Sequence, residues 1–327
     1  IDITGTGFVV HNTLLKQSPA TVRLAADGPV TAALSLLNRK PLTVMDKVNL
    51  PVDLAKGNVR GVGTIDLTLK QKIMPDEVDY QVDLVLEDVE TTHFIKDKVI
   101  AGDMTGSVNN RQIVIEGDGT VGSLPVHAKW QSKIGPSSGG KSVLSGIAEL
   151  SQRAVDEFDV GFPEGTFSGK STADFRMEIV RGSPPKMTLG SDIVGLGVSF
   201  PPLGYRKDAA SAGKTTVDMT ITSPPSIDAF TYEAAGMTVK GGVSLREEGG
   251  LDRVRLDGFE VGNWLSGTGE IRGRDEGLAP AIILTGGRFD VRGLPSEDSA
   301  TSGTASQQAI GPISADLQRV QISESYY

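Results

Sequence analysis

The 327-residue chain contains no cysteine. That excludes a disulfide framework and any thiolate metal centre. It is compatible with the bacterial periplasm, where a stray thiol would be oxidised, and equally with the cytosol. Aromatic residues make up only 5% and apolar residues 38%, lean for a single globular core. Positive charge is in the minority: 32 Lys and Arg face 41 Asp and Glu, for a formal net charge of −9, which argues against a nucleic-acid partner. No apolar run approaches the roughly 20 residues of a membrane helix, and no signal-peptide pattern is visible. The chain opens at Ile1 within an extended pattern and closes at Tyr327 soon after another, so it is expected to be an excerpt of a longer protein.

Catalytic signatures are missing as well. The only histidines, His11, His93 and His127, have no ligand spacing. There is no GxSxG elbow, no P-loop and no GxGxxG ahead of a helix. The glycine-rich run 57–63 leads into a strand, so no helix N-terminus waits there for phosphate. The acids Asp76, Glu77 and Asp79, or Glu87, Asp88 and Glu90, fall in turns or on polar faces beside basic residues. They read as solvated surface rather than a glycosidase pair. Residues 116–119 offer too few oxygens for calcium. Trp130 and Trp264 are expected to be packing anchors. The expectation is therefore a non-enzyme with no catalytic residues, no metal and no cofactor.

What is present is alternation. Residues 172–180 read Thr-Ala-Asp-Phe-Arg-Met-Glu-Ile-Val. Side chains on a strand change face at each residue, so Ala173, Phe175, Met177 and Ile179 share one face while Asp174, Arg176 and Glu178 share the other. The same period of two recurs in Ile65-Leu67-Leu69, Tyr80-Val82-Leu84-Leu86, Leu124-Val126-Ala128-Trp130, Val217-Met219-Ile221, Val254-Leu256, Phe289-Val291 and Ile313-Ala315-Leu317. Glycine-containing breaks separate the runs at short intervals, and 40 Gly with 17 Pro suit many tight turns. The pattern predicts an all-β fold, antiparallel, with one or two short helices. One helix is expected over 144–158, where Leu144, Ile147 and Leu150 stand at near-helical spacing. Residues 135–141 and 296–308 are expected to be loops. The first divides the chain into continuous segments 1–140 and 141–327, whose strand–turn–strand passages at 99–132 and 235–269 loosely echo each other.

Residues 187–207, Met-Thr-Leu-Gly-Ser-Asp-Ile-Val-Gly-Leu-Gly-Val-Ser-Phe-Pro-Pro-Leu-Gly-Tyr-Arg-Lys, resemble the Ser-Asp-Leu-x-Gly and Leu-Pro-x-Leu-Gly-x-x-Lys passage of AsmA-like proteins, particularly the YhdP branch. The stretch 167–175 and the run from Gly241 through Trp264 to Arg292 are similar to that family too. The likeness covers about the last half of the chain; the tidy Pro-Leu-Gly-Lys form is loosened here at 202–207. The resemblance implies a periplasmic segment of an inner-membrane-anchored Gram-negative protein. It implies an elongated, curled β sheet forming an open apolar groove that carries phospholipids between inner and outer membranes. The partners would be phospholipid acyl chains and, through other parts of the parent chain, the two membranes. On alternation, the expected lining is Phe175, Met177, Ile179, Val217, Met219, Ile221, Phe289 and Val291. Basic residues are interleaved with acids, as in Arg253-Arg255-Asp257 and Arg288-Asp290-Arg292, so no headgroup is expected to be read. The same pattern also allows a sandwich or solenoid with a sealed core, acting as a structural or adhesive module. A sugar-cleaving β-helix is the third reading.

Overall fold

The computed structural model describes all residues except 75–76, 136–138, 159, 161, 163, 249, 276–277, 294–310 and 324–327. The loop expected over 296–308 thus lies outside the described residues, as does part of the one at 135–141. Among the described residues the fold is all-β: one open sheet of twenty strands, predominantly antiparallel with two short parallel additions near the C-terminus, and three short helices. The chain divides into two compact units, 1–146 with 178–182, and 147–177 with 183–327. The division falls after Gly146, inside a strand, whereas the sequence placed it at the preceding loop.

The first unit is a meander. Its strands are β1 (Gly7–Val10), β2 (Ser18–Pro29), β3 (Lys56–Leu69), β4 (Asp79–Thr91), β5 (Ile100–Asn109), β6 (Gln112–Val121), β7 (Leu124–Lys133) and most of β8 (Lys141–Ser151). From β1 to β7 each strand pairs antiparallel with the next in sequence. The turns follow local chemistry. Between β5 and β6 the Asn109 carboxamide oxygen accepts the backbone N–H groups of Arg111 and Gln112, at 2.9 and 3.0 Å, a side chain closing its own turn. Helices α1 (Val30–Leu37) and α2 (Val44–Val48) connect β2 to β3, and α1 packs on both strands. Sequence reasoning passed over α1, although Ala-Ala-Leu-Ser-Leu-Leu at 32–37, with Pro29 just ahead of the helix, favours a helix.

The helix expected over 144–158 is largely a strand. β8 runs through Ser151, and α3 covers only Gln152–Glu157. Gly146 lies so close to β7 that an added Cβ would sit 2.0 Å from the His127 carbonyl oxygen. The backbone groups along the β7 edge demand partners, and that demand outweighs three apolar residues at helical spacing.

The second unit holds β9 (Phe167–Val180, whose last residues count with the first unit), β10 (Lys186–Ser191), β11 (Leu196–Phe200), β12 (Tyr205–Lys207), β13 (Gly213–Thr220), β14 (Ser226–Ala234), β15 (Met237–Leu245), β16 (Leu251–Val261), β17 (Leu265–Arg272), β18 (Ala281–Asp290), β19 (Ile313–Asp316) and β20 (Arg319–Gln321). β13 to β18 form a second meander. β10 pairs antiparallel with β13, and β19 and β20 add to β18 in parallel. The buried core sits here. Ile193, Leu196, Val198 and Tyr205 form one cluster; Phe259, Val261 and Leu265 form another.

Candidate functional site

Residues paired across the ladder share a face, so the registers trace the inward side of each unit row by row. In the first unit one row reads Ala26, Gly61, Leu84, Gly106, Ile115, Trp130 across β2 to β7. A neighbouring row reads Leu24, Gly63, Val82, Val108, Ile113, Ser132. Their polar counterparts, such as Asp66, Gln81, Asp83, Thr105 and Lys133, stand on the other side, which is mostly exposed. The inward leucines, valines and isoleucines of these two rows are only half-buried. A second layer packed over them would bury them outright. Among the described residues the fully buried apolar side chains of this unit, Ala20, Val30, Met45, Val89 and Leu124, form no cluster.

The second unit repeats the scheme. One row runs Leu189, Val217, Phe230, Gly241, Leu256, Gly269, Leu284, Ala315; the next runs Met187, Met219, Ile227, Val243, Val254, Ile271, Ile282, Ile313. Both rows are apolar from end to end, and their large side chains are half-buried or exposed.

Glycine in these rows has a geometric role. At Gly63 an added Cβ would lie 2.0 Å from the Gln81 carbonyl oxygen; at Gly241 it would lie 1.8 Å from that of Arg255. No side chain fits where the next strand's backbone leans over the inward face, and only glycine permits that approach. In both units the neighbouring strand's backbone thus passes close to the glycine.

The expected lining residues fall as follows. Phe175 and Met177 lie on β9 in the second unit, half-buried, with Asp174 and Arg176 exposed between and beside them. The Ser171 and Ser191 hydroxyls meet at 3.3 Å, which puts the odd-numbered residues of β9 and β10 on one face. Through β10 that face continues into Val217 and Met219. Phe175, Met177, Val217 and Met219 are thus brought together. Ile179 continues the alternation on β9 but counts with the first unit. Ile221 lies just past the end of β13, its N–H held by the Pro185 carbonyl at 2.8 Å. Phe289 packs against the Phe259-Val261-Leu265 cluster, its ring 6.0 Å from that of Trp264. Val291 has left the strand for a 3-10 turn, Val291–Gly293. The whole first-unit face was absent from the expected lining, although Tyr80-Val82-Leu84-Leu86 carries the same alternation.

The passage 187–207 builds a packed knot. Ile193 and Leu196 are 1% and 2% exposed. Lys207 is buried, and its ammonium donates to the carbonyls of Ile193, Leu196 and Asp208 at 2.9, 2.8 and 3.1 Å. Burial pulls this ammonium below its ordinary value, with Asp192 and Asp208 opposing. The Tyr205 and Tyr232 hydroxyls share a 2.8 Å hydrogen bond, and burial raises both phenols. Among the described residues no buried side-chain polar atom lacks a partner, which gives the knot the character of a brace.

On the outward side, His127 lies 2.9 Å from Asp118 and 3.4 Å from Glu116, whose other oxygen meets Lys129 at 2.8 Å. The hydrogen bond that the imidazole donates to Asp118, then that to Glu116, holds it above its ordinary value. Asp290 is held down to about 2 by its hydrogen bond to Arg292. The His127 network is open to solvent, while the Asp290 side chain is largely covered. Among the described residues no three His, Asp or Glu side chains gather to hold a metal. No protein-family model, curated protein or solved structure matches the chain.

Proposed function

We propose that the protein binds phospholipid acyl chains along the half-exposed apolar faces of its two units and conducts them, with no chemical step. The carrying observation is the continuous apolar rows, eight residues wide in the second unit and left half-covered. Apolar area of this kind is stabilised by what it removes from water, about 0.8 kcal/mol for each buried CH₂. An acyl chain supplies a dozen or more such groups without requiring a polar contact. The outward charges alternate in sign and cancel within a Debye length, so headgroup charge has little part in this binding. The resemblance to AsmA-like proteins points the same way and adds the periplasm and a route between two membranes to the proposal.

The sealed structural module is the second reading, favoured by the packed knot at 193–207 and the cluster around Phe259. Those clusters brace only part of the second unit and leave both rows half-covered. Native mass spectrometry of the purified chain separates the readings. Adducts with phospholipid masses are expected; a spectrum of the bare chain from lipid-containing extracts supports the sealed module.

A further inference from the structure

The connection from β2 to β3 does more than turn the chain. In the antiparallel meander the end of β2, the start of β3, the end of β4 and the start of β7 lie at one end of the first unit, and the start of β8 lies at the other. Residues 30–55, with α1 and α2, leave and re-enter the sheet at the first end. Yet the Lys47 carbonyl, at the close of α2, accepts a hydrogen bond from the Arg181 guanidinium. The Arg181 N–H is in turn bound to the carbonyl of Gly140, just before β8, at 3.2 Å. The connection therefore reaches from the β2–β3 corner toward the opposite corner, across the strands between.

It crosses on the inward side. α1 packs on β2 and β3, but the outward residues Asn58, Arg60 and Val62 of β3 are exposed, while the inward Gly61 is buried. Val89 and Thr91 pair with Gly102 and Ile100, inward positions of β5. Both are buried, and the Thr91 hydroxyl donates to the Leu54 carbonyl of the connection at 2.6 Å. Residues 30–55 thus form a strap over part of the apolar face.

The strap is lightly held. Within 35–49 only Met45 is buried, at 4% exposed. α2 hangs between two left-handed residues, Thr43 at φ 45° and Asn49 at φ 56°, and a β-branched threonine is strained in that conformation. Asn38 ties α2 to α1 through two hydrogen bonds with Asp46, at 2.9 and 3.0 Å. The far attachment is the single bond from Arg181, which is exposed to water. Met45 is unbranched and flexible; methylene groups of an acyl chain can take its place without leaving a void.

We infer that α2 is a lid on the inward face of the first unit, with the Arg181–Lys47 contact as its latch, and that an acyl chain entering the face displaces Met45 and lifts α2. This regulates the site proposed above and rests on that reading.

The absence of cysteine makes Met45→Cys a clean reporter in the full chain. Its reaction with a bulky maleimide is expected to be slow, and to speed up about threefold or more when Arg181→Ala is added, the weight of one exposed hydrogen bond. Asn38→Ala is expected to act in the same direction, with circular dichroism unchanged in both. Dihexanoyl phosphatidylcholine below its micelle-forming concentration is expected to speed the labelling too, and to leave a cysteine at the outward Asp83→Cys unaffected. Amide hydrogen exchange in the unsubstituted chain gives a reading free of the cysteine. The Lys47, Asn49 and Leu50 amides, hydrogen-bonded within the strap, are expected to exchange faster with that lipid and in Arg181→Ala, because so short a helix frays once lifted. Labelling that is fast from the outset, or that neither variant speeds, overturns the lid. Lipid adducts in native mass spectra with labelling and exchange unmoved by lipid overturn the inference and leave the acyl-chain reading standing. Absence of adducts overturns that reading and the inference with it.

Discussion

Placing a carboxylate on the inward face distinguishes an open face from a sealed one. Leu84 and Leu196 are both inward leucines in strands, but their surroundings differ. Leu196 is 2% exposed among Ile193, Val198 and Tyr205. Glutamate there must bury an unpaired acid and forfeit the leucine packing, a cost of roughly 4 kcal/mol or more, a large part of the 5–15 kcal/mol typical of a whole domain. Leu84 stands between Gly61 and Gly106 in its row and is half-buried. A glutamate there reaches water past its glycine neighbours and loses only part of the 1.5–3 kcal/mol of a fully buried leucine, about 1–2 kcal/mol. Urea unfolding measures both, because Trp130 reports the first unit and Trp264 the second. Single-tryptophan variants keep the two signals apart. L84E is expected to lower the Trp130 midpoint modestly, and L196E to abolish the Trp264 transition or shift it far down. A loss of about 4 kcal/mol or more for L84E would mean that the inward face is sealed, and would refute the reasoning.

Lys207→Met removes a donor shared by three carbonyls; those of Ile193 and Asp208 keep the Leu196 and Ser211 N–H groups, so the Trp264 transition should fall by about 1–3 kcal/mol. Tyr232→Phe removes only the 2.8 Å hydroxyl pair and should cost about 1 kcal/mol in the same assay. Gly63→Val puts a side chain where the Gln81 carbonyl lies, so amide hydrogen exchange along β3 and β4 should accelerate while β15 to β18 keep their protection. The folded pKa of His127 is raised, so its contribution is fully present below the unfolded value of about 6.5 and is lost as pH rises through the folded value. The first-unit midpoint should therefore decline over that window, and His127→Gln should remove the His127 part of the decline; an unchanged pH profile in the variant would contradict the pairing with Asp118 and Glu116.

The strands were legible because alternation is a local property, and a one-residue slip would turn every apolar side chain to water. Alternation places Phe175 and Met177 on one face and Val217 and Met219 on another strand's apolar face; the β10 pairing supplies the route that joins them. Three things were not local. The helix expected at 144–158 yields to β8 because an open strand edge, invisible in residues 144–150 themselves, claims the backbone. Val291 alternates correctly in sequence, but the strand stops at Asp290, whose side chain binds the Arg292 guanidinium and backbone N–H and so fixes a turn. Lys207 reads as one more surface cation; its burial depends on carbonyls from residues 193 and 196 folding back over it. The glycines at 61, 63, 106, 241 and 269 read as turn-formers or strand bends. They stand mid-strand, opposite large residues of the neighbouring strands.

The central claim is that acyl chains lie on the inward faces and nowhere else. A photo-crosslinking amino acid placed singly at Leu84, Met177 or Phe230, and at the outward positions Asp83 and Asp174, tests it directly in the full chain expressed in a Gram-negative host. Phospholipid captured at the three inward positions and not at the two outward ones is the predicted result. Capture at both sets alike, or at neither, would contradict it.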